Sequence, residues 1–164
     1  MSTTIASPVS AWVDRLEAAE AIYRYGVAID SFDNDAIRAA FDEEATAQYG
    51  KNTDVLHGPD EIVKFINDFT VDCAWQHHFL NVVRADVDGD HAKVIVYHTS
   101  HQVFDSAPDT VNVIVGRYHN ELRRRDGVFR ISKLYMEVLW AERRRDETGY
   151  LAALGGNAAI WTRP

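Results

Sequence analysis

Three ionisable residues stand where this 164-residue chain is expected to bury apolar side chains. Asp30 closes the apolar stripe of the first helical segment, and His77 and His101 lie within two strand-like segments rich in apolar and aromatic residues. Burial of a lone charge is costly, so acids and imidazoles on inward faces are expected to satisfy one another. A carboxylate that orients a histidine, with a second histidine and a phenol nearby, is the equipment of general acid/base catalysis. Asp30, His77 and His101 are therefore the candidate catalytic residues, and Tyr49, near the end of a short strand, can point a phenol into the same interior.

Each candidate also has a plainer reading. Asp30 falls at the end of its helix and can be solvated or bonded to the next loop. A carboxylate there faces the negative end of the helix dipole, so a compensating donor or a protonated histidine is expected beside it. His77 shares a strand face with Trp75, Phe79, Asn81 and Val83, while His78 shares the other with Gln76, Leu80, Val82 and Arg84. Alternation leaves the inward face open, and the aromatic content favours the His77 face. His101 lies with Ile95, Tyr97, Thr99 and Val103, and His98 lies opposite. Tyr118 can direct a phenol into the same interior. Trp75, Phe79, Tyr97, Phe65 and Phe69 suit a flat apolar or aromatic molecule, and equally suit an ordinary core.

The elements that must position these groups follow from periodicity. Residues 10–31 carry Trp12, Leu16, Ala19, Tyr23, Val27 and Asp30 at three- and four-residue steps, a helical stripe. Asp33-Asn34-Asp35 breaks it and can cap a short second helix through Phe41. Residues 45–49 form a short strand. His57-Gly58-Pro59-Asp60 begins a third helix with Ile62, Phe65, Ile66 and Phe69 on one face. Four long strands follow, over 75–86, 91–104, 111–124 and 128–140, joined by turns at Asp88-Gly89-Asp90, Ala107-Pro108-Asp109 and Asp126-Gly127. Strands this long must curve over the helices to bury one face. The expectation is α+β: a single cone-shaped domain with N-terminal helices packed on a strongly curved, mostly antiparallel sheet. Residues 1–9 read as a flexible lead, 10–142 as the domain, and 143–164 as a tail with a short helix near 150–154; whether Trp161 closes the pocket is open.

Composition narrows the function classes. The net charge of -8 opposes contact with phosphate backbones, so no nucleic-acid partner is expected. Arg123-Arg124-Arg125, followed at once by Asp126-Gly127, reads as a solvated strand end. One cysteine, Cys73, excludes an internal disulfide and a CxxC site. No stretch has the length of a membrane span and residues 1–8 lack a signal-peptide pattern, so a soluble cytoplasmic protein is expected. Both faces of the long strands carry apolar residues, Val94, Val96, Val113 and Val115 against Ile95, Tyr97 and Ile114, which implies a homo-oligomer, dimer or trimer.

The helix ending in Asp30-Ser31-Phe32-Asp33-Asn34-Asp35, the His77-His78-Phe79-Leu80-Asn81 strand, and the Asp88-Gly89-Asp90 and Arg125-Asp126-Gly127-Val128-Phe129 hairpins together resemble a SnoaL-like domain. That family belongs to the nuclear-transport-factor-two-like, cystatin-like cone superfamily, and the resemblance spans roughly residues 10–142. The catalytic positions resemble scytalone dehydratase and hexachlorocyclohexane dehydrochlorinase, in which an aspartate holds a histidine that removes a proton during elimination. The resemblance places that aspartate at Asp30 and, through a His-x-x-x-Asn spacing, that histidine at His77. It places the dehydratase's second histidine at His101 before Gln102, and a tyrosine at Tyr49. Two positions depart: Ile29 stands where the dehydratase has a tyrosine, and Tyr118 where it has an asparagine.

The implied function is a cofactor-independent lyase of dehydratase or dehydrohalogenase type acting on a small apolar, aromatic or polyketide-like molecule, with no cofactor and no metal. Isomerase or cyclase chemistry uses the same proton abstraction. Two histidines and a carboxylate also match a non-haem iron set, but close sequence pairing of two ligands is absent. A non-catalytic binding or association domain is the reading in which the same polar groups merely satisfy one another.

Overall fold

The computed structural model describes residues 8–149, which form a cone of three helices and a curled six-stranded sheet. In chain order the elements are α1 (Pro8–Asp30), α2 (Asn34–Ala40), β1 (Phe41–Tyr49), β2 (Leu56–His57), α3 (Gly58–Phe69), β3 (Cys73–Asp88), β4 (His91–Phe104), β5 (Ala107–Arg125) and β6 (Val128–Arg145). The sheet order is β2-β1-β6-β5-β4-β3. All neighbours are antiparallel except β1 and β6, which run parallel. The expected α+β cone is thus present. Strand β6 extends through Arg145, into the stretch read as tail, and α1 begins at Pro8, within the expected lead. The expected helix at 150–154 and Trp161 lie outside the described residues.

Helix α1 corrects one expectation. Its buried stripe is Ala18, Ala21, Ile22, Tyr25, Ala28 and Ile29, whereas Trp12, Leu16 and Val27 of the expected stripe are more than half exposed. Apolar residues surround this helix, so periodicity alone selects no face. The cone lining selects the narrow side, where alanines let the helix lie deep against the sheet. Helix α1 stops abruptly after Asp30. Asp33 N–H donates to the Ala28 carbonyl and Phe32 N–H to that of Ile29, both at 3.0 Å, with Phe32 in the left-handed region at φ 54°. This is the paired C-terminal closure that usually employs glycine. It fixes where Asp30 sits. Asp33 then caps α2, its side chain accepting from Ala36 N–H at 2.9 Å.

The inner sheet face is aliphatic. Val94 and Val96 of β4, Leu122 of β5 and Ile131 and Leu134 of β6 are buried with Ile62 of α3. The basic run at the end of β5 is pinned by acids rather than merely solvated. Arg124 pairs with Asp14 (2.7 Å) and Glu17 of α1 and lies over the Phe129 ring, and Arg125 Nε lies 2.7 Å from the fully buried Asp42 carboxylate. Removing Arg125 leaves the buried Asp42 carboxylate with the more distant Arg123, 4.0 Å from its other oxygen. Arg125→Met is expected to destabilise the fold by about 2 kcal/mol or more, measured by urea unfolding at pH 7; an unchanged midpoint would refute the pairing.

Candidate active site

The polar centre forms where α1 ends against β3. The strand places Gln76 and His78 on its inner face, and each meets the helix terminus. Gln76 Nε2 donates to the Ile29 carbonyl at 2.7 Å, a second hydrogen bond on the oxygen that already accepts from Phe32 N–H in the helix closure. The next residue, Asp30, accepts from His78 backbone N–H on Oδ2 at 2.9 Å, and its Oδ1 lies 2.6 Å from His78 Nδ1. Their side chains retain 15% and 9% of their exposure. The donor expected to offset the unfavourable dipole at Asp30 is therefore present twice, as an amide and as an imidazole.

The histidine is not the expected one. His77 is exposed on the outer face, where its ring stacks with that of His101 at 6.2 Å. Trp75, Phe79 and Tyr97 share that outer face; Phe79 and Tyr97 are 63% and 51% exposed, and none of the three lines the cavity described below. The cause is the strand period. An offset of one residue moves every side chain to the opposite face. The rows Val82–Val96 and Leu80–His98, not those carrying Trp75, Phe79 and Tyr97, face the helices. Aliphatic residues on a cross-strand row are the signal in the sequence that marks the inner face. The aromatic face remains for the exterior.

The second inner histidine is likewise His98 rather than His101. His98 is 2% exposed and packs edge-on against Tyr118 at 4.6 Å, with the His78 ring 6.2 Å away. Among the described residues, neither ring nitrogen of His98 has a hydrogen-bond partner of normal geometry. Burial, reinforced by nearby His78, lowers its pKa to about 4, only partly opposed by its own carbonyl and that of Gly116. Gly116, directly across from it on β5, makes the room: a Cβ there would meet the ring at 3.1 Å and the Glu137 carbonyl at 2.5 Å. A glycine facing a histidine across two strands is the sequence feature that could have marked this ring as buried.

A cavity of about 280 Å³ opens beside these groups. His78, His98, Tyr118 and Tyr49 supply its polar lining together with Gln76 and Gln102, whose amides are linked at 3.3 Å. Phe65 and Phe69 of α3 line the other side with Ile29, Ile66, Ile114 and Met136. Phe65 stacks on Tyr49 at 5.1 Å. Tyr49 also shares a 2.7 Å hydrogen bond with Tyr25 of α1. Burial pushes the pKa values of Tyr25, Tyr49 and Tyr118 upward, so all three phenols remain protonated donors. Of the residues read from sequence, the structure brings together Asp30, Tyr49, Tyr118, Phe65 and Phe69. It leaves His77, His101, Trp75, Phe79 and Tyr97 outside. Among the described residues, no group of three or more histidine, cysteine, aspartate or glutamate side chains is gathered to hold a metal.

Comparison with known proteins agrees with this architecture. Residues 11–135 match the SnoaL-like domain model, and the chain belongs to that family. Its nuclear-transport-factor-two-like cone is shared by solved structures. A type 2 hexachlorocyclohexane dehydrochlorinase is 17% identical with a TM-score of 0.74, over 84% of this chain and 93% of that one. A candidate scytalone dehydratase from Novosphingobium aromaticivorans is 14% identical with a TM-score of 0.76, over 83% and 91%. A candidate aromatic ring hydroxylase from the same organism is 22% identical with a TM-score of 0.73, over 85% and 96%. A search of curated proteins found no match. At such identities the likeness establishes the fold, and chemistry must be argued from the site.

The buried, unpartnered His98 makes a pH prediction. Its folded pKa is depressed below the ordinary value of 6.5, so the unfolded chain binds the extra proton first as pH falls. The stability associated with neutral His98 is present above pH 6.5 and is lost between about 6.5 and 4, by roughly 3 kcal/mol at the lower end. Urea unfolding at pH 7.5 and 4.5 is expected to show that part of the acid loss disappear in His98→Gln; equal losses in both proteins would contradict it.

Proposed function

We propose that the protein is a cofactor-independent lyase, of dehydratase or dehydrohalogenase type, acting on a one- or two-ring apolar or aromatic molecule held in the cone. The observation that carries this reading is the Asp30–His78 pair, which borders a cavity that is apolar on one side and lined with neutral donors on the other. Asp30 holds Nδ1, which fixes the tautomer and leaves Nε2 as the nitrogen open to a bound molecule. Neutral His78 takes a C–H proton on Nε2. The C–H electron pair becomes the new double bond as the bond to the leaving oxygen or halogen breaks, and Asp30 stabilises the resulting imidazolium. Tyr49 and Tyr118 donate to the developing negative charge. His98, kept neutral by burial, can do the same. Asp30, Tyr49 and Tyr118 thus keep the roles read from sequence, while His78 and His98 take those first given to His77 and His101.

The test is turnover of a panel of halogenated and hydroxylated one- and two-ring compounds, followed by halide release and by the absorbance of new conjugation. Asp30→Asn and His78→Ala are expected to lower kcat by about 10²–10⁴-fold, and His77→Ala to stay within about twofold because its ring lies on the outer face. Near-wild-type rates in either of the first two variants would remove the dyad. Products rearranged without loss of a group would instead mark an isomerase or cyclase, in which His78 returns the proton to a neighbouring carbon.

We also propose that copies of the chain associate through the outer sheet face. Phe79, Tyr97, Leu139 and Trp140 there are each more than half exposed, an apolar surface that a solvated monomer would leave wet. Sedimentation at micromolar concentration is expected to give a dimer or trimer that Phe79→Arg dissociates; a monomeric wild-type protein would refute this.

A further inference from the structure

Tyr25 lies behind the cavity rather than in it. It is 1% exposed, with its ring edge-on to Phe41 at 5.3 Å and to Tyr118 at 6.4 Å. Among the described residues, the one hydrogen-bond partner of its hydroxyl is the Tyr49 hydroxyl, 2.7 Å away. Tyr49 does line the cavity, and it too makes no other hydrogen bond among these residues. Two phenols share one hydrogen bond, so one of the two O–H hydrogens must point elsewhere. The two arrangements are unequal. If Tyr49 donates, the Tyr25 hydrogen is left among aromatic rings with no acceptor, and an unpaired buried donor forfeits a hydrogen bond. If Tyr25 donates, the Tyr49 hydrogen points into the cavity, where water or a bound molecule can accept it. The second arrangement is preferred by about tenfold or more.

We infer that Tyr25 is a positioning residue that sets the direction of the Tyr49 hydroxyl, so that Tyr49 presents its hydrogen to an oxygen or other acceptor bound in the cavity. The donated bond also polarises the Tyr49 hydroxyl, which strengthens it as a donor. The same bond opposes part of the upward shift that burial imposes on Tyr49, while Tyr25 is pushed further up. Helix α1 thereby acts on the cavity twice. Asp30 at its end directs the base, and Tyr25 directs a donor on β1. The hydroxyl geometry stands by itself, whereas its catalytic use rests on the lyase reading above.

Two measurements test it, and neither requires turnover, so failure of the lyase reading is seen separately in the substrate panel. In neutron diffraction from deuterium-exchanged crystals, the Tyr25 deuteron is expected on the line to the Tyr49 oxygen, with the Tyr49 deuteron turned into the cavity. The reverse placement overturns the inference. The second measurement uses 4-nitrophenol, a one-ring probe whose bound phenolate is read at 400 nm. Tyr25→Phe is expected to weaken phenolate binding about fivefold to tenfold, with the same folded-state spectrum and no further loss when added to Tyr49→Phe. An equal loss on the Tyr49→Phe background means that Tyr25 acts by packing alone and overturns the inference.

Discussion

The contact between the end of α1 and the inner face of β3 is the constraint on which the site depends. Three hydrogen bonds converge there: Gln76 to the Ile29 carbonyl, and the His78 amide and ring to Asp30. A carboxylate at a helix C-terminus is destabilised by the dipole, and a half-buried one loses hydration as well. Both costs are offset only when α1 stops at one residue and β3 presents one face. The closure at Phe32 supplies the stop. The aliphatic pairing of β3 with β4 supplies the face. Each feature is local, yet the dyad exists only where they meet.

The rest of the cavity is organised by unequal burial of similar groups. Four histidines lie close together on β3 and β4, yet two face inward and two outward. The inward pair is itself unlike. Both line the cavity, but His78 has a carboxylate partner, whereas His98 has none among the described residues and is held neutral by desolvation. Two imidazoles 6.2 Å apart would repel if both were charged. Giving His78 an acid while burying His98 without one keeps His98 neutral beside it. The phenols follow the same rule, since desolvation keeps each of them protonated. On the lyase reading proposed above, the result is one base surrounded by neutral donors, an arrangement suited to taking a proton from carbon while steadying charge elsewhere on the molecule.

Much of this architecture was legible before any coordinates. Helix and strand periodicities, the Asp88-Gly89-Asp90 and Asp126-Gly127 turns and the break at Asp33 were enough to specify the three helices, five of the six strands and the cone, but not the two-residue β2. Asp30 stood out because a helix that buries one side should not end in an acid without a partner. Tyr49, Tyr118, Phe65 and Phe69, read from the sequence as residues that could face the interior, line the cavity. The errors fall on β3 and β4, whose faces are both apolar enough to be buried. Counting aromatic residues favoured the face with Trp75, Phe79 and Tyr97, which is the exterior one. Helix α1 misled for the same reason, with Trp12, Leu16 and Val27 outside while Ile22, Tyr25 and Ile29 lie within among alanines.

The sequence by itself determined the helices and the long strands, their order, the family likeness and the presence of an acid that needed a histidine. These properties depend on neighbours within a few residues, where period, turn chemistry and capping act. Tertiary structure alone decided which histidine answers the acid. His77 and His78 are adjacent in the chain and differ only in which way a pleated strand turns them. That choice is made by the packing of Leu80, Val82, Val94 and Val96 beneath the helices, contacts between segments far apart in sequence. The burial that neutralises His98 and the phenol pair that joins Tyr25 to Tyr49 are likewise products of chain closure. They appear only when α1, β1 and the long strands share one interior.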